Sequence, residues 1–178
     1  MKAAVLYGNR DLRYDDWETP VCRPGCVKVH VRATGICGSD VPRVLHNGAH
    51  FYPIVLGHEF SGDVVEVGEG VTSVTPGMHT SDAPLVPCMK CEDCAKGNYS
   101  LCKHYSFIGS REQGSFGDYV LLPERNVVPF ADDVDFIKGA LFEPSTVALH
   151  GLRCNHFRGG EHVAVLGGGT IGQFTAQW

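Results

Sequence analysis

The sequence predicts a mainly β chain, a barrel or sandwich to about residue 135, followed by the first elements of a parallel α/β unit. Three observations carry that expectation. Residues 26–34 alternate apolar and polar side chains, the period of a strand with one buried and one wet face. Short strand-like runs recur between Gly/Pro turns up to about residue 135, the spacing of an all-β domain. Beyond that point an apolar run leads straight into a glycine-rich loop, the join that opens a dinucleotide-binding βαβ unit.

Composition bounds the rest. The chain has 178 residues, 20 acidic against 15 basic side chains and a formal net charge of −5. That balance offers no basic footprint for nucleic acid and no polybasic anchor for a membrane. Hydrophobic residues at 43% and charged residues at 20% place it among globular rather than disordered chains. The 22 glycines are about 12% of the chain against a usual ~7%, which favours short strands and many turns. No apolar run reaches the ~20 residues of a membrane span, and the start of the chain is too short on apolar residues for a signal core. The expected location is the cytoplasm, where clustered cysteines are read as metal or redox groups before disulfides.

In order along the chain, Val27, Val29, Val31 and Ala33 form one face of the first clear strand and Lys28, His30, Arg32 and Thr34 the other. Residues 60–67 and 118–128 read as further strands, bounded by Gly68-Glu-Gly70, Pro76-Gly77 and Pro129. Residues 135–152 are mixed apolar with Pro144 and Ser145 near a helix start. Residues 161–166 form a short apolar run without alternation, expected to be a strand buried on both faces. A helix is expected after Gly172. A single strand and helix cannot bury themselves, so the chain reads as a piece that stops near the beginning of a second domain, with residues 148–178 poorly packed on their own.

Half of the eight cysteines fall in one run, Cys88-x2-Cys91-x2-Cys94-x7-Cys102. Two Cys-x2-Cys steps let sulfurs converge on one tetrahedral Zn²⁺, and Pro87, Gly97 and Asn98 supply turns around the lobe. A [4Fe–4S] cluster competes, but its ferredoxin run closes with Cys-x3-Cys-Pro, whereas here the fourth cysteine follows seven residues and precedes Lys103. Structural zinc is the expected occupant, a staple rather than a catalyst.

A second set of metal-competent side chains is dispersed. Cys37 lies in Gly35-Ile-Cys-Gly-Ser-Asp40, His58 and Glu59 in Leu56-Gly-His-Glu-Phe60, and Glu143 in Leu141-Phe-Glu-Pro144. Each has a plain alternative. Taken singly, Cys37 reads more readily as a small buried hydrophobe and His58-Glu59 as a solvated turn, while Glu143 reads equally as a carboxylate at a helix start. The residue four after His58 is Gly62, which rules out the two-histidine helical zinc motif. Near the end, Gly167, Gly169 and Gly172 carry the G-x-G-x-x-G spacing, whose backbone N–H groups and helix N-terminus receive a pyrophosphate.

Together and in this order, the GHE stretch, the four-cysteine lobe and the terminal glycine loop resemble the zinc-dependent medium-chain dehydrogenase/reductase family. The resemblance covers nearly the whole chain, about the first half of such an enzyme. It implies a GroES-like β-barrel catalytic domain over residues 1–147, with a zinc lobe at 86–104, and the truncated beginning of a Rossmann domain over 148–178. It implies two zinc ions per chain. One is catalytic, held by Cys37, His58 and Glu143 with Glu59 as a ligand or close alternate. The other is structural, held by Cys88, Cys91, Cys94 and Cys102. It gives Ser39 and Glu59 catalytic roles, Ser39 as the hydroxyl that passes the substrate proton outward. Pro42 stands where several relatives carry a histidine, which leaves the solvent end of that relay without its usual group. Gly167, Gly169 and Gly172 are assigned to NAD or NADP.

The implied reaction is oxidation of a secondary alcohol with hydride transfer to NAD(P). Glu143, in place of the cysteine of the alcohol branch, favours a polyol or polyol phosphate. Sorbitol-, xylitol- or butanediol-type and threonine-type dehydrogenases are the alternatives, and a non-catalytic zinc-binding β-module is the alternative of another class. Arg43, His46, His50 and Arg111 are the cations in reach of a substrate phosphate, each also readable as a solvated surface group. The full-length protein is expected to be a homo-oligomer, and these 178 residues alone are expected to lack dehydrogenase activity.

Overall fold

The computed structural model describes residues 1–178. Strands β1 (Lys2–Gly8) and β2 (Asp11–Asp16) form a hairpin, followed by β3 (Cys26–Gly35). A short helix α1 (Asp40–Pro42) runs into a π-helical turn, Arg43–Asn47. Strands β4 (Ile54–Val55), β5 (Glu59–Val67), β6 (His79–Asp82) and β7 (Leu85–Val86) come next. Helix α2 (Glu92–Ala95), β8 (Ser106–Phe107), β9 (Tyr119–Pro123) and β10 (Val127–Pro129) complete the β-rich part. Helices α3 (Phe136–Ala140), α4 (Phe142–Cys154) and α5 (Thr170–Gln177) end the chain. No helix is long and apolar enough to cross a membrane.

The mainly β expectation holds. A five-stranded sheet of order β10-β6-β5-β3-β9 forms a half-barrel wall, beside a three-stranded sheet β2-β1-β4 and a small β7-β8 ribbon. The alternation read in β3 works as expected, for Val27 and Val29 are fully buried. They pack with Phe60, Val64, Ile108, Val120 and Leu122 into the main core. Fully burying Phe60 alone removes enough apolar surface from water to be worth about 2–3 kcal/mol.

Three expectations need correction. The strand expected over 118–128 is two strands, because Pro123 has no N–H to continue the ladder and a 3₁₀ turn at Glu124–Asn126 intervenes. The helical stretch is also divided, α3 being capped by the Asp135 carboxylate accepting from the Lys138 N–H at 2.9 Å. Pro144 then falls in the first turn of α4, where an absent N–H costs nothing. Residues 161–166 form no strand. A parallel strand exists only by pairing its backbone with neighbours, and no strand follows residue 129 to supply them. Leu166 is 99% exposed and Val163 53%, so the expected loose packing of this stretch is what the structure has. Helix α5 nevertheless lies on α4, with the Trp178 indole N–H donating to the Ser145 carbonyl at 3.1 Å.

Candidate metal and alcohol site

Strand pairing brings the dispersed residues together. In the antiparallel ladder of β3 and β5, Gly35 stands opposite Glu59 and Thr34 opposite Phe60. The end of one strand and the start of the other therefore share a place, with Cys37 just beyond the first and His58 just before the second. The ligand atoms of Cys37, His58 and Glu59 lie within 4.8 Å of one another.

Two glycines make this approach possible. A Cβ on Gly35 would sit 2.5 Å from Glu59 Oε2, so the carboxylate lies over a bare backbone. Gly57 has φ +95°, and a Cβ there would strike the Phe116 ring at 2.4 Å. That turn delivers His58 to the cluster, where its ring meets Phe107 edge-on at 5.4 Å.

Glu143 reaches the site from the first turn of α4, which packs against β5 and β6. The aromatic set Phe130, Phe136 and Phe142 fixes α3 and α4 to the sheet, Phe130 and Phe142 meeting at 5.5 Å. Glu143 does not belong to the group within 4.8 Å, but it lies close enough for the charges of His58 and Glu59 to act on it. Burial pushes its carboxyl up, with His58 opposing and Glu59 adding to the rise. The Cys37 thiol is likewise pushed up by burial, against the donors of Ser39. Buried acids and a thiol that disfavour their charged forms are the donor set a divalent cation relieves.

Asp40 and Asp82 are two buried acids beside this cluster that the sequence reading did not single out. Asp40 is 1% exposed, accepts from the Cys37 N–H at 3.1 Å, and faces His58 Nδ1 at 3.8 Å. Neither Asp40 Oδ1 nor His58 Nδ1 has a hydrogen-bond partner. A closure of about 1 Å would join them and leave Nε2 available to an ion, the arrangement that fixes a ligating histidine's tautomer. Burial raises the Asp40 carboxyl, opposed by His58, the Cys37 N–H and Arg43. The only signal for Asp40 in the sequence is its spacing after Cys37. Asp82, 4% exposed at the end of β6, has an unpartnered Oδ2. Burial drives its carboxyl well above the usual range, and Glu143 and Glu59 push the same way. An acid at a strand end carries no pattern that would mark it beforehand.

Ser39 is engaged on two sides. Its hydroxyl lies 3.3 Å from Cys37 Sγ as donor and accepts from Arg43 Nη1 at 2.7 Å. A guanidinium has no lone pair to take a proton, so the position one residue beyond Pro42 holds a charge-bearing anchor for Ser39.

The four-cysteine lobe closes on itself. All four sulfurs lie within 4.8 Å of one another, with Cys88–Cys94 and Cys91–Cys102 at 3.9 Å. A Zn–S bond of ~2.3 Å in a tetrahedron sets sulfurs about 3.8 Å apart, so the donors fit zinc. Backbone N–H groups of Lys90 and Cys91 hold the Cys88 thiol down to about 6, while burial and the neighbouring thiols push Cys94 up to about 12. Four clustered thiolates need a cation to stay charged together.

The glycine loop is tight. Gly167 has φ +113°, and a Cβ on Gly172 would lie 1.9 Å from the Gly167 carbonyl oxygen. Gly169 is the N-cap of α5. Gly167 and Gly169 are exposed, as is every residue from 161 to 170, and Gly172 is half-buried.

Comparison with known proteins gives the context. The model of the alcohol dehydrogenase GroES-like domain matches residues 23–132. Galactitol 1-phosphate 5-dehydrogenase of Escherichia coli strain K12 is 44% identical over 151 residues, which is 85% of this chain and 44% of the relative. The crystal structure of galactitol-1-phosphate dehydrogenase from Escherichia coli superposes with a TM-score of 0.95 at 40% identity, over 99% of this chain and 51% of that one. A short chain alcohol dehydrogenase from Escherichia coli CFT073, complexed with NADH, superposes with a TM-score of 0.92 at 32% identity, over 99% of this chain and 52% of that one. The chain spans about half the length of the relatives it matches.

Proposed function

The chain belongs to the alcohol dehydrogenase GroES-like domain family, and on that premise we propose that it is the catalytic part of a zinc-dependent polyol dehydrogenase. The whole enzyme oxidises a secondary alcohol of a polyol or polyol phosphate, galactitol 1-phosphate to tagatose 6-phosphate being the specific reading, and passes hydride to NAD or NADP. The observation that carries this is the meeting of Cys37, His58 and Glu59 at the paired ends of β3 and β5, with Glu143 leaning in from α4. Soft, borderline and hard donors together suit zinc with room for one more ligand, where four thiolates would close the coordination.

Zinc, when bound there, supplies a Lewis acid that polarises an alcohol and eases loss of its proton near neutral pH, and the nicotinamide takes the hydride. The chain's own residues do the rest. Asp40 holds the Cys37 backbone N–H at 3.1 Å and faces His58 Nδ1 at 3.8 Å, from where a small closure would fix the ring. Ser39, beside Cys37 Sγ, receives the alcohol proton. Arg43 takes one of the two lone pairs of the Ser39 oxygen, so the alcohol proton arrives on the other while the hydroxyl's own proton leaves toward solvent, Ser39 being exposed, without a histidine carrier. The tight loop at Gly167, Gly169 and Gly172 belongs to the cofactor side, and the full-length protein assembles as a homo-oligomer.

The test is zinc stoichiometry. The pure chain should hold two zinc ions, and Cys37→Ser or His58→Ala should leave one, still bound by the four cysteines. One zinc in the unsubstituted chain, indifferent to both changes, would instead mark a zinc-stapled β-module without chemistry.

A further inference from the structure

Four cations near the site in sequence differ sharply in the fold. His46 and His50 are exposed, and Arg111 is exposed and stacked on the Tyr105 ring at 4.7 Å. Arg43 alone of the four is tied into the metal-competent cluster. Its Nη1 donates to the Ser39 carbonyl at 3.0 Å and the Ser39 hydroxyl at 2.7 Å, and lies 3.7 Å from Asp40 Oδ1. Two hydrogen bonds therefore separate it from Cys37 Sγ.

The geometry spends only one corner of the guanidinium. The two Nη1 hydrogens are used within the chain, whereas Nε and Nη2 make no hydrogen bond in it. That pair is the edge of the fork that matches two oxygens of a phosphate or carboxylate. The side chain is 25% exposed, enough for a ligand to reach the edge and too little for it to swing freely in water. The anchoring bonds to Ser39 hold the plane in advance, so little conformational freedom remains to be lost on binding. The surroundings are acidic, with Asp40, Glu59, Asp82 and Glu143 around the same cluster.

We infer that Arg43 is a specificity-determining residue, its free Nε/Nη2 edge receiving an oxyanion carried by the polyol a few bonds from the carbon that is oxidised. The inference rests on the polyol reading above and deepens it by assigning the side chain that meets the charged group of an anionic polyol. Because the same cation holds Ser39, binding of the anion and placing of the proton-accepting hydroxyl share one side chain.

Binding to the zinc-loaded full chain tests it, with D-galactitol 1-phosphate, D-galactonate and galactitol as probes and the ratio of their dissociation constants as readout. A charge-assisted fork predicts that one of the anionic polyols binds about ten- to a hundredfold tighter than galactitol. The Arg43 Nε–H resonance should shift with that probe and stay in place with galactitol. Preference for the first anion identifies a phosphate, for the second a carboxylate. Arg43→Lys keeps the charge without the fork and should retain part of the preference, while Arg43→Gln should abolish it. Using the ratio cancels any effect of Ser39 moving in the variants. Two zinc ions retained with an unchanged ratio in Arg43→Gln would overturn the role of Arg43 and leave the polyol reading standing. Failure of the unsubstituted chain to hold the second zinc would remove that reading, and the inference with it.

Discussion

Asp82 is a buried acid left half-satisfied at the end of β6. A buried carboxyl with an unpartnered oxygen, facing the fields of Glu143 and Glu59, resists ionisation. Its folded pKa is raised, so the folded chain binds a proton that the unfolded chain has already lost. Its stabilising proton is fully present below the unfolded value near 3.8 and the benefit is lost as pH rises toward the raised folded value. Asp82→Asn keeps an acceptor for the Phe60 N–H, which Asp82 Oδ1 meets at 3.5 Å, and cannot ionise. The substituted chain should gain roughly 1–3 kcal/mol over the original at pH 8 and much less at pH 4, by urea unfolding at each pH. An equal difference at both would mean that Asp82 ionises freely. Neither Asp82 nor Asp40 was legible in the sequence. Their importance comes from being 4% and 1% exposed, and burial of a single acid depends on how distant strands and helices close over it. The cysteines were legible because their chemistry depends on spacing, which the sequence displays directly.

At the level of elements, the site depends on the register of β3 against β5. Alternation made β3 readable, since Val27 and Val29 must turn inward together. The pairing of Gly35 with Glu59 was not readable, because two bulges, at Lys28/Val29 and Val31/Ala33, set it. The apolar run at 161–166 misled for a related reason, as a strand is a property of its neighbours as much as of its own residues. Register gives a direct way to separate Glu59 from Glu143 as zinc ligand. Gly35 has ordinary extended backbone, so Gly35→Ala should fold, yet its Cβ would occupy the space 2.5 Å from Glu59 Oε2. The carboxylate, the flexible partner, must yield. If Glu59 helps hold the ion, zinc affinity at the second site should fall about tenfold or more while the circular dichroism is unchanged. Unchanged affinity would leave the acidic ligand position to Glu143 alone.

The whole molecule has three parts of unequal solidity: a β core closed around Phe60, a lobe that encloses four sulfurs, and a tail held through α4. Backbone protection follows buried packing and paired hydrogen bonds, and the tail between α4 and α5 has little of either. Leu166 is 99% exposed, and residues 161–169 carry no ladder. A nonspecific protease should therefore cut the zinc-loaded chain first between residues 157 and 168. The product, ending near α4, should keep both zinc ions, because every proposed ligand lies at or before Glu143. Removing zinc with a chelator should open a second cut between Cys88 and Cys102. Four sulfurs within 4.8 Å are a donor set whose closure a bound cation would hold, since thiolates gathered this closely repel one another without it. Mass spectrometry of the fragments reads both events. If the loaded chain is cut in the lobe before the tail, or if chelation leaves the lobe as resistant as before, its closure comes from packing and the four cysteines are not held by a metal.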